Sequence, residues 1–129
     1  MSILVVDDSH EILTLVQLIL EKEGYCVDTL QQAGALSKQL SLKPYQLILL
    51  DMMMPKYTGD QCCAKIKANR EWAHIPIIAF TAKPIKQNAT LNTDFQGYLF
   101  KPFTADELID CIEEHVVPDP VYSENLKNS

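Results

Sequence analysis

Residues 3–9 read Ile3-Leu4-Val5-Val6-Asp7-Asp8-Ser9, and this stretch decides the fold. Four successive apolar residues, mostly β-branched and without polar alternation, predict a strand buried on both faces, as in a parallel sheet covered by helices on either side. Two aspartates end it, and Ser9 is suited to cap a helix beginning just after it. Ile12, Leu13, Leu15, Val16, Ile19 and Leu20 recur at helical spacing up to Glu23, with Gly24 as the stop. The same alternation continues along the chain. Tyr25–Leu30 predicts an edge strand, Ala33–Leu40 a short helix, and Leu47–Leu50 a second fully buried strand. A turn with Gly59 precedes a helix over about Asp60–Asn69, with Cys63, Ile66 and Cys62 on its inner side. Ile77–Phe80 and Tyr98–Phe100 complete the strands. Pro84–Asp94 predicts a short, loosely held helix, and Thr104 caps a last one, Ala105–Val116, with Leu108, Ile109, Ile112 and Val116 inward. Five strands alternating with about five helices imply an α/β, doubly wound, open parallel sheet with right-handed crossovers.

Composition agrees with one such domain. The 129 residues are 47% hydrophobic and carry 17 acidic against 11 basic side chains, for a net charge of −6. Arg70 is the single arginine, so no basic surface is available for direct nucleic-acid binding. No apolar run approaches a membrane span, and Asp7-Asp8 interrupts the first run before it could serve as a signal-peptide core. These features predict a cytoplasmic protein without a membrane partner. Cys26, Cys62, Cys63 and Cys111 lack C-x-x-C spacing and are expected to remain thiols. The expected domain is residues 1–117, followed by a polar tail at 118–129. The Met1 start and that tail favour a stand-alone protein over a domain of a longer one.

In doubly wound sheets, ligands bind outside the carboxyl ends of the strands. Those ends carry Asp7-Asp8, Asp51, Thr81 and Lys101, each after an apolar run. Asp51 interrupts what would otherwise be an unbroken apolar stretch from Leu47 to Met54, a costly place for a carboxylate unless it is paired. Three carboxylates at one edge repel by about 4 kcal/mol per pair at 4 Å and an effective dielectric of 20, so they call for a cation. Hard oxygen donors with room for water suit Mg²⁺. The chemistry these parts support is phosphoryl transfer to a carboxylate. Asp51 is the nucleophile, Lys101 and the metal neutralise phosphoryl oxygens, and the Thr81 hydroxyl donates to the product. Ala82 beside Thr81 leaves space for the incoming group.

The joint pattern Asp7-Asp8, Asp51 with Met54-Pro55 and Gly59, Thr81-Ala82, and Tyr98-Leu99-Phe100-Lys101-Pro102-Phe103 resembles the receiver domain of two-component response regulators, from about Ile3 to Val116. The resemblance implies a flavodoxin-like receiver fold with strand order 2-1-3-4-5. It makes Asp51 the acceptor of a phosphoryl group from a histidine kinase or a histidine phosphotransfer protein. Asp8 and Asp51 become direct Mg²⁺ ligands, Asp7 assists, and the Met53 main-chain carbonyl completes the protein's share; Mn²⁺ is a possible substitute. Thr81 and Tyr98 match the family's switch pair, Lys101 its strand-end lysine, and Lys101-Pro102 its cis peptide. Met53 and Lys83 border the route of attacking water, where an apolar Met53 would slow hydrolysis of the acyl phosphate. The implied protein is a phosphorylation switch that alters partner binding and turns over no separate metabolite, so it is not an enzyme in the usual sense.

The sequence departs from the family where Asp94-Phe95 replaces a common Gly-Ala pair, and the compact Thr81–Lys101 stretch implies a reduced fourth helix. A receiver cut from a longer regulator or hybrid kinase is the nearest alternative. An aspartate-nucleophile phosphatase is disfavoured by Met53, which stands where a second aspartate would act as general acid. A flavodoxin-like electron carrier is disfavoured by the acidic Asp7-Asp8-Ser9 turn, where a phosphate cradle would be needed.

Overall fold

The computed structural model describes residues 1–54, 56–81 and 95–116. Its elements in chain order are β1 (Ser2–Val6), α1 (His10–Lys22), β2 (Cys26–Leu30), a 3₁₀ turn (Ala33–Ala35), α2 (Leu36–Leu42), β3 (Leu47–Asp51), α3 (Gly59–Lys67), β4 (Ile77–Thr81), β5 (Gly97–Phe100) and α4 (Ala105–His115). The five strands are parallel in the order β2-β1-β3-β4-β5, as expected, with β2 at one edge.

Burial on both faces follows directly from the apolar runs. Ile3 and Val5 of β1, Leu47 and Leu49 of β3, and Ile78 and Phe80 of β4 pack with Leu13, Val16 and Leu20 of α1 and Leu108 and Ile112 of α4. Leu4, Val6, Ile48, Leu50, Ile77 and Ala79 point to the opposite layer, against Leu36 and Leu40 of α2 and Cys62, Cys63 and Ile66 of α3. Because strand side chains alternate, a residue's parity fixes which helices it meets.

Helix boundaries follow local chemistry. Ser9 caps α1 by accepting from the Ile12 N–H. At the other end Tyr25 N–H reaches Leu20 O and Gly24 N–H reaches Glu21 O, with Gly24 at φ +93°, the left-handed residue of a Schellman stop. The expected helix over 33–40 divides into a 3₁₀ turn and a seven-residue α2 that extends to Leu42. The helix assigned to begin after Gly59 begins on it, because Thr58 is the N-cap. The last helix ends at His115, with Val116 extended as its C-cap. The predicted helix over Pro84–Asp94 and the tail at 118–129 lie outside the described residues, as do Ala82 and Lys83. Cys26, Cys62, Cys63 and Cys111 are thiols. Among the described residues no helix is long and apolar enough to cross a membrane.

Candidate functional site

Parity carries the strand ends to one place. Asp7 follows Val6 on the face of Ile3 and Val5, Asp51 shares the face of Leu49, and Lys101 that of Leu99, so all three rise above the α1/α4 layer. Phe80, the register partner of Asp51 on β4, is their floor.

Asp7 is fully buried and Asp51 is 3% exposed, while Asp8 is exposed. A buried carboxylate must find donors. Asp7 accepts from the Ser9 N–H at 2.9 Å and pairs with the Lys101 ammonium at 2.6 Å. Asp51 accepts from the Met53 N–H at 3.1 Å, and its oxygen lies 3.7 Å from the same ammonium. Lys101 bridges the two buried carboxylates with its Nζ 4.6 Å from the centre of the Phe80 ring, whose negative face favours a cation. Phe103 buttresses that ring, with centroids 5.2 Å apart. The Lys101-Pro102 peptide is cis, as expected.

Carboxylate oxygens of Asp7, Asp8 and Asp51 all lie within 4.8 Å of one another. Crowding has an electrostatic signature. Burial pushes the Asp51 carboxyl up to about 6; the charge of Asp7 and the contact with Asp8 add to the rise, while the Met53 N–H and Lys101 oppose it. The donor set is all hard oxygen, and its charge exceeds what Lys101 neutralises. It therefore fits a small divalent cation.

Thr81 ends β4, is 8% exposed, and its carbonyl accepts from the Lys101 N–H at 2.7 Å. Its parity is that of Ala79, and Tyr98 is the register partner of Ala79, so Thr81 and Tyr98 share the face opposite Asp51. Tyr98 is half-buried against that layer, its ring 5.8 Å from Phe95. It packs against the layer that holds Cys62, Cys63 and Ile66 of α3, and burial, then the charges of Asp60 and Cys63, push its phenol up.

The loop after Asp51 is closed on itself. Met52 N–H donates to Phe80 O, Gly59 N–H donates to Met52 O, and Met53 bridges Thr58 as an isolated antiparallel pair. Met53 is 68% exposed. Thr58 and Gln61 form a capping box that fixes the start of α3. Sequence reasoning brought Asp7, Asp8, Asp51 and Lys101 together and placed Thr81 at the same edge. It passed over Phe80 as a seat for Lys101, and over the Thr58-Gly59-Asp60-Gln61 capping spacing, which was readable. His10 is exposed on the first turn of α1, outside the carboxylate cluster.

The response regulator receiver domain family matches residues 3–113. The response regulator ArlR of Staphylococcus epidermidis is 36% identical over 111 residues, covering 84% of this chain and 49% of that protein. The transcriptional regulatory protein ResD of Bacillus subtilis is 38% identical over 110 residues, covering 83% and 44%. The chain thus spans about half the length of the relatives it matches. Among solved structures, the response regulator TrrA of Thermotoga maritima, crystallised in complex with Mg²⁺-BeF, superposes with a TM-score of 0.80 at 29% identity, covering 89% of this chain and 98% of that one.

Proposed function

The chain belongs to the response regulator receiver domain family, and we propose that residues 1–117 act as a phosphorylation switch with Asp51 as phosphoacceptor. The observation that supports this best is the buried Asp51 carboxylate, crowded by Asp7 and Asp8 and bridged to Asp7 by Lys101. The donor is a histidine kinase or a histidine phosphotransfer protein. An Asp51 oxygen forms the new P–O bond while the P–N bond to the donor imidazole breaks, and the departing nitrogen keeps the electron pair. Asp7, Asp8, Asp51 and the Met53 carbonyl would hold Mg²⁺ or Mn²⁺. When bound, the ion offsets charge on the phosphoryl oxygens. Lys101 is already within reach of Asp51 and pairs with a phosphoryl oxygen as charge accumulates. The Thr81 hydroxyl turns to donate to the same group, and Tyr98 follows on the shared sheet face.

In this reading the domain turns over no separate substrate, and its output is changed affinity for a protein partner in the cytoplasm. The same switch serves a stand-alone regulator or the receiver of a longer regulator or hybrid kinase. Intact-mass measurement after incubation with Mg²⁺ and acetyl phosphate tests it. One phosphoryl group gained by the native protein, and none by Asp51→Asn or without Mg²⁺, is the expected result. No gain with Mg²⁺ bound refutes self-phosphorylation and reopens the assigned roles.

A further inference from the structure

Gly59 stands where no side chain fits. A Cβ on it would lie 2.7 Å from Met52 Sδ, 2.8 Å from Met52 Cα and 3.0 Å from the Asp51 carbonyl oxygen. Gly59 is not in the left-handed region, so its requirement comes from close approach and not from backbone torsion. Met52 Sδ lies on a flexible side chain and could move, but the other two atoms are backbone and could not move without displacing the phosphoacceptor's own residue.

What the close approach achieves is visible in the hydrogen bonds. The backbone after Asp51 is gripped on one side by β4, through Met52 N–H to Phe80 O, and on the other by the start of α3, through Gly59 N–H to Met52 O and the Met53–Thr58 bridge. Met53 N–H, held by that grip, donates to Asp51 Oδ1 and sets the carboxylate's orientation. The capping box of Thr58 and Gln61 keeps the helix start in place. A continuous chain of contacts therefore runs from Gly59 through Met52 and Met53 to the Asp51 oxygen.

We propose that Gly59 is a positioning residue for the Asp51 site: its bare Cα lets the start of α3 clamp residues 51–53, and that clamp fixes both the Asp51 carboxylate and the Met53 carbonyl for metal binding. The inference rests on the phosphoacceptor reading above. Supporting groups around a metal site typically contribute about ten- to a hundredfold in affinity. Gly59→Ala is thus expected to weaken Mg²⁺ binding at least about tenfold, and to slow phosphoryl gain from acetyl phosphate, at temperatures well below its melting point.

The test measures Mg²⁺ affinity by titration calorimetry on five proteins: native, Gly59→Ala, Met52→Ala/Gly59→Ala, Thr58→Ala and Ile112→Val. The double variant removes Met52 Sδ but leaves both backbone obstacles, so it is expected to remain as weak as Gly59→Ala. Restoration of native affinity in it would reduce the effect to side-chain packing and overturn the proposal. Affinity within about twofold of native for a folded Gly59→Ala also overturns it. Ile112→Val loosens the core packing of α4, outside residues 51–61, and is expected to lose stability with no change in affinity, separating positioning from general softening. Should Gly59→Ala fail to fold, Thr58→Ala decides: loss of the N-cap frees the helix start, and affinity is expected to fall about two- to fivefold. Unchanged affinity there overturns the clamp. A native protein that neither binds Mg²⁺ nor gains phosphoryl refutes the phosphoacceptor reading itself, and the inference with it. Native activity with unaffected variants refutes the inference alone.

Discussion

Replacing Asp51 with Asn should make the metal-free protein more stable, although it removes the central residue of the site. The carboxyl titrates near 6 in the folded chain against 3.8 ordinarily, chiefly because it is buried and secondarily because Asp7 and Asp8 are close. At about 1.4 kcal/mol per pH unit of displacement, ionised Asp51 costs the folded state about 3 kcal/mol at neutral pH. Asparagine keeps the shape and the acceptor for the Met53 N–H but carries no charge. Some of the gain is lost to burying the amide, so a stabilisation of about 2 kcal/mol is expected, or about 5–10 °C in melting temperature for a domain of this size. The sign with pH is fixed by linkage. A carboxyl with a raised folded-state value is penalised fully above about 6, and the penalty disappears as pH falls below 3.8, where both states are protonated. Because the amide cost does not vary with pH, the advantage of Asp51→Asn should be complete at pH 8, about a third as large at pH 5, and gone or slightly reversed at pH 4. Urea denaturation in chelator across that range measures it. Mg²⁺ at a hundred times its dissociation constant would return about 2.7 kcal/mol to the native protein and less to the variant. A variant equal or inferior to native at pH 8 without metal, or an advantage independent of pH, would refute the electrostatic account.

Lys101→Gln leaves fully buried Asp7 without its cation, and should lower metal-free stability by about 3 kcal/mol, with partial rescue by Mg²⁺ in thermal melts. Phe80→Leu removes the ring beneath Lys101 and part of the contact with Phe103; we expect a loss of about 1–2 kcal/mol in stability together with slower phosphoryl gain, whereas an unchanged labelling rate would confine Phe80 to the core. Tyr45→Phe breaks a buried hydroxyl link that donates to Asp28 at 2.7 Å and accepts from Gln39 at 2.6 Å, tying edge strand β2 to α2, and should cost about 1–2 kcal/mol in denaturant without changing Mg²⁺ affinity. Met53→Asn places a polar group at an exposed position bordering the phosphoacceptor and should shorten the acyl-phosphate lifetime; an equal or longer lifetime counts against apolar shielding.

The elements most legible in sequence were those whose pattern has one physical solution. Ile3–Val6 and Leu47–Leu50 fit only a strand covered on both sides, and the polar residues ending them could lie only at the carboxyl edge. Ser9 and Gly24 marked both ends of α1 because a cap and a left-handed stop are local chemistry. Residues 33–42 were less legible: Ala33-Gly34-Ala35 has weak preferences, and the division into a 3₁₀ turn and α2 is set by where Leu36 and Leu40 meet the sheet. Phe80 reads as one more apolar residue of a buried strand, and only the register with Asp51 and the reach of Lys101 turn it into part of the site. Gly59 reads as a turn residue, since a steric requirement imposed by atoms seven and eight positions earlier leaves no local trace.

The charge balance of the site supports a direction for the proposed switch. Asp7, Asp8 and Asp51 contribute three negative charges and Lys101 one positive, leaving about two negative charges in a largely buried setting. A proton on Asp51 relieves this in part, and the crowding adds to the rise that burial chiefly causes in its carboxyl. One divalent cation removes the excess altogether. In the proposed reaction, phosphorylation would replace the single charge of Asp51 with about two, so a metal-loaded site would again carry an uncompensated negative charge. Lys101, 2.6 Å from Asp7 and 3.7 Å from Asp51, would be shared between Asp7 and the new anion and so meet only part of the added charge. The remaining demand falls on neutral donors at the strand ends. In the proposed switch the Thr81 hydroxyl, at the end of β4, would supply one; Thr81 shares its sheet face with Tyr98, half-buried against the layer of α2 and α3. In that proposed switch, rotation of Thr81 toward the phosphoryl group would vacate space on the face it shares with Tyr98.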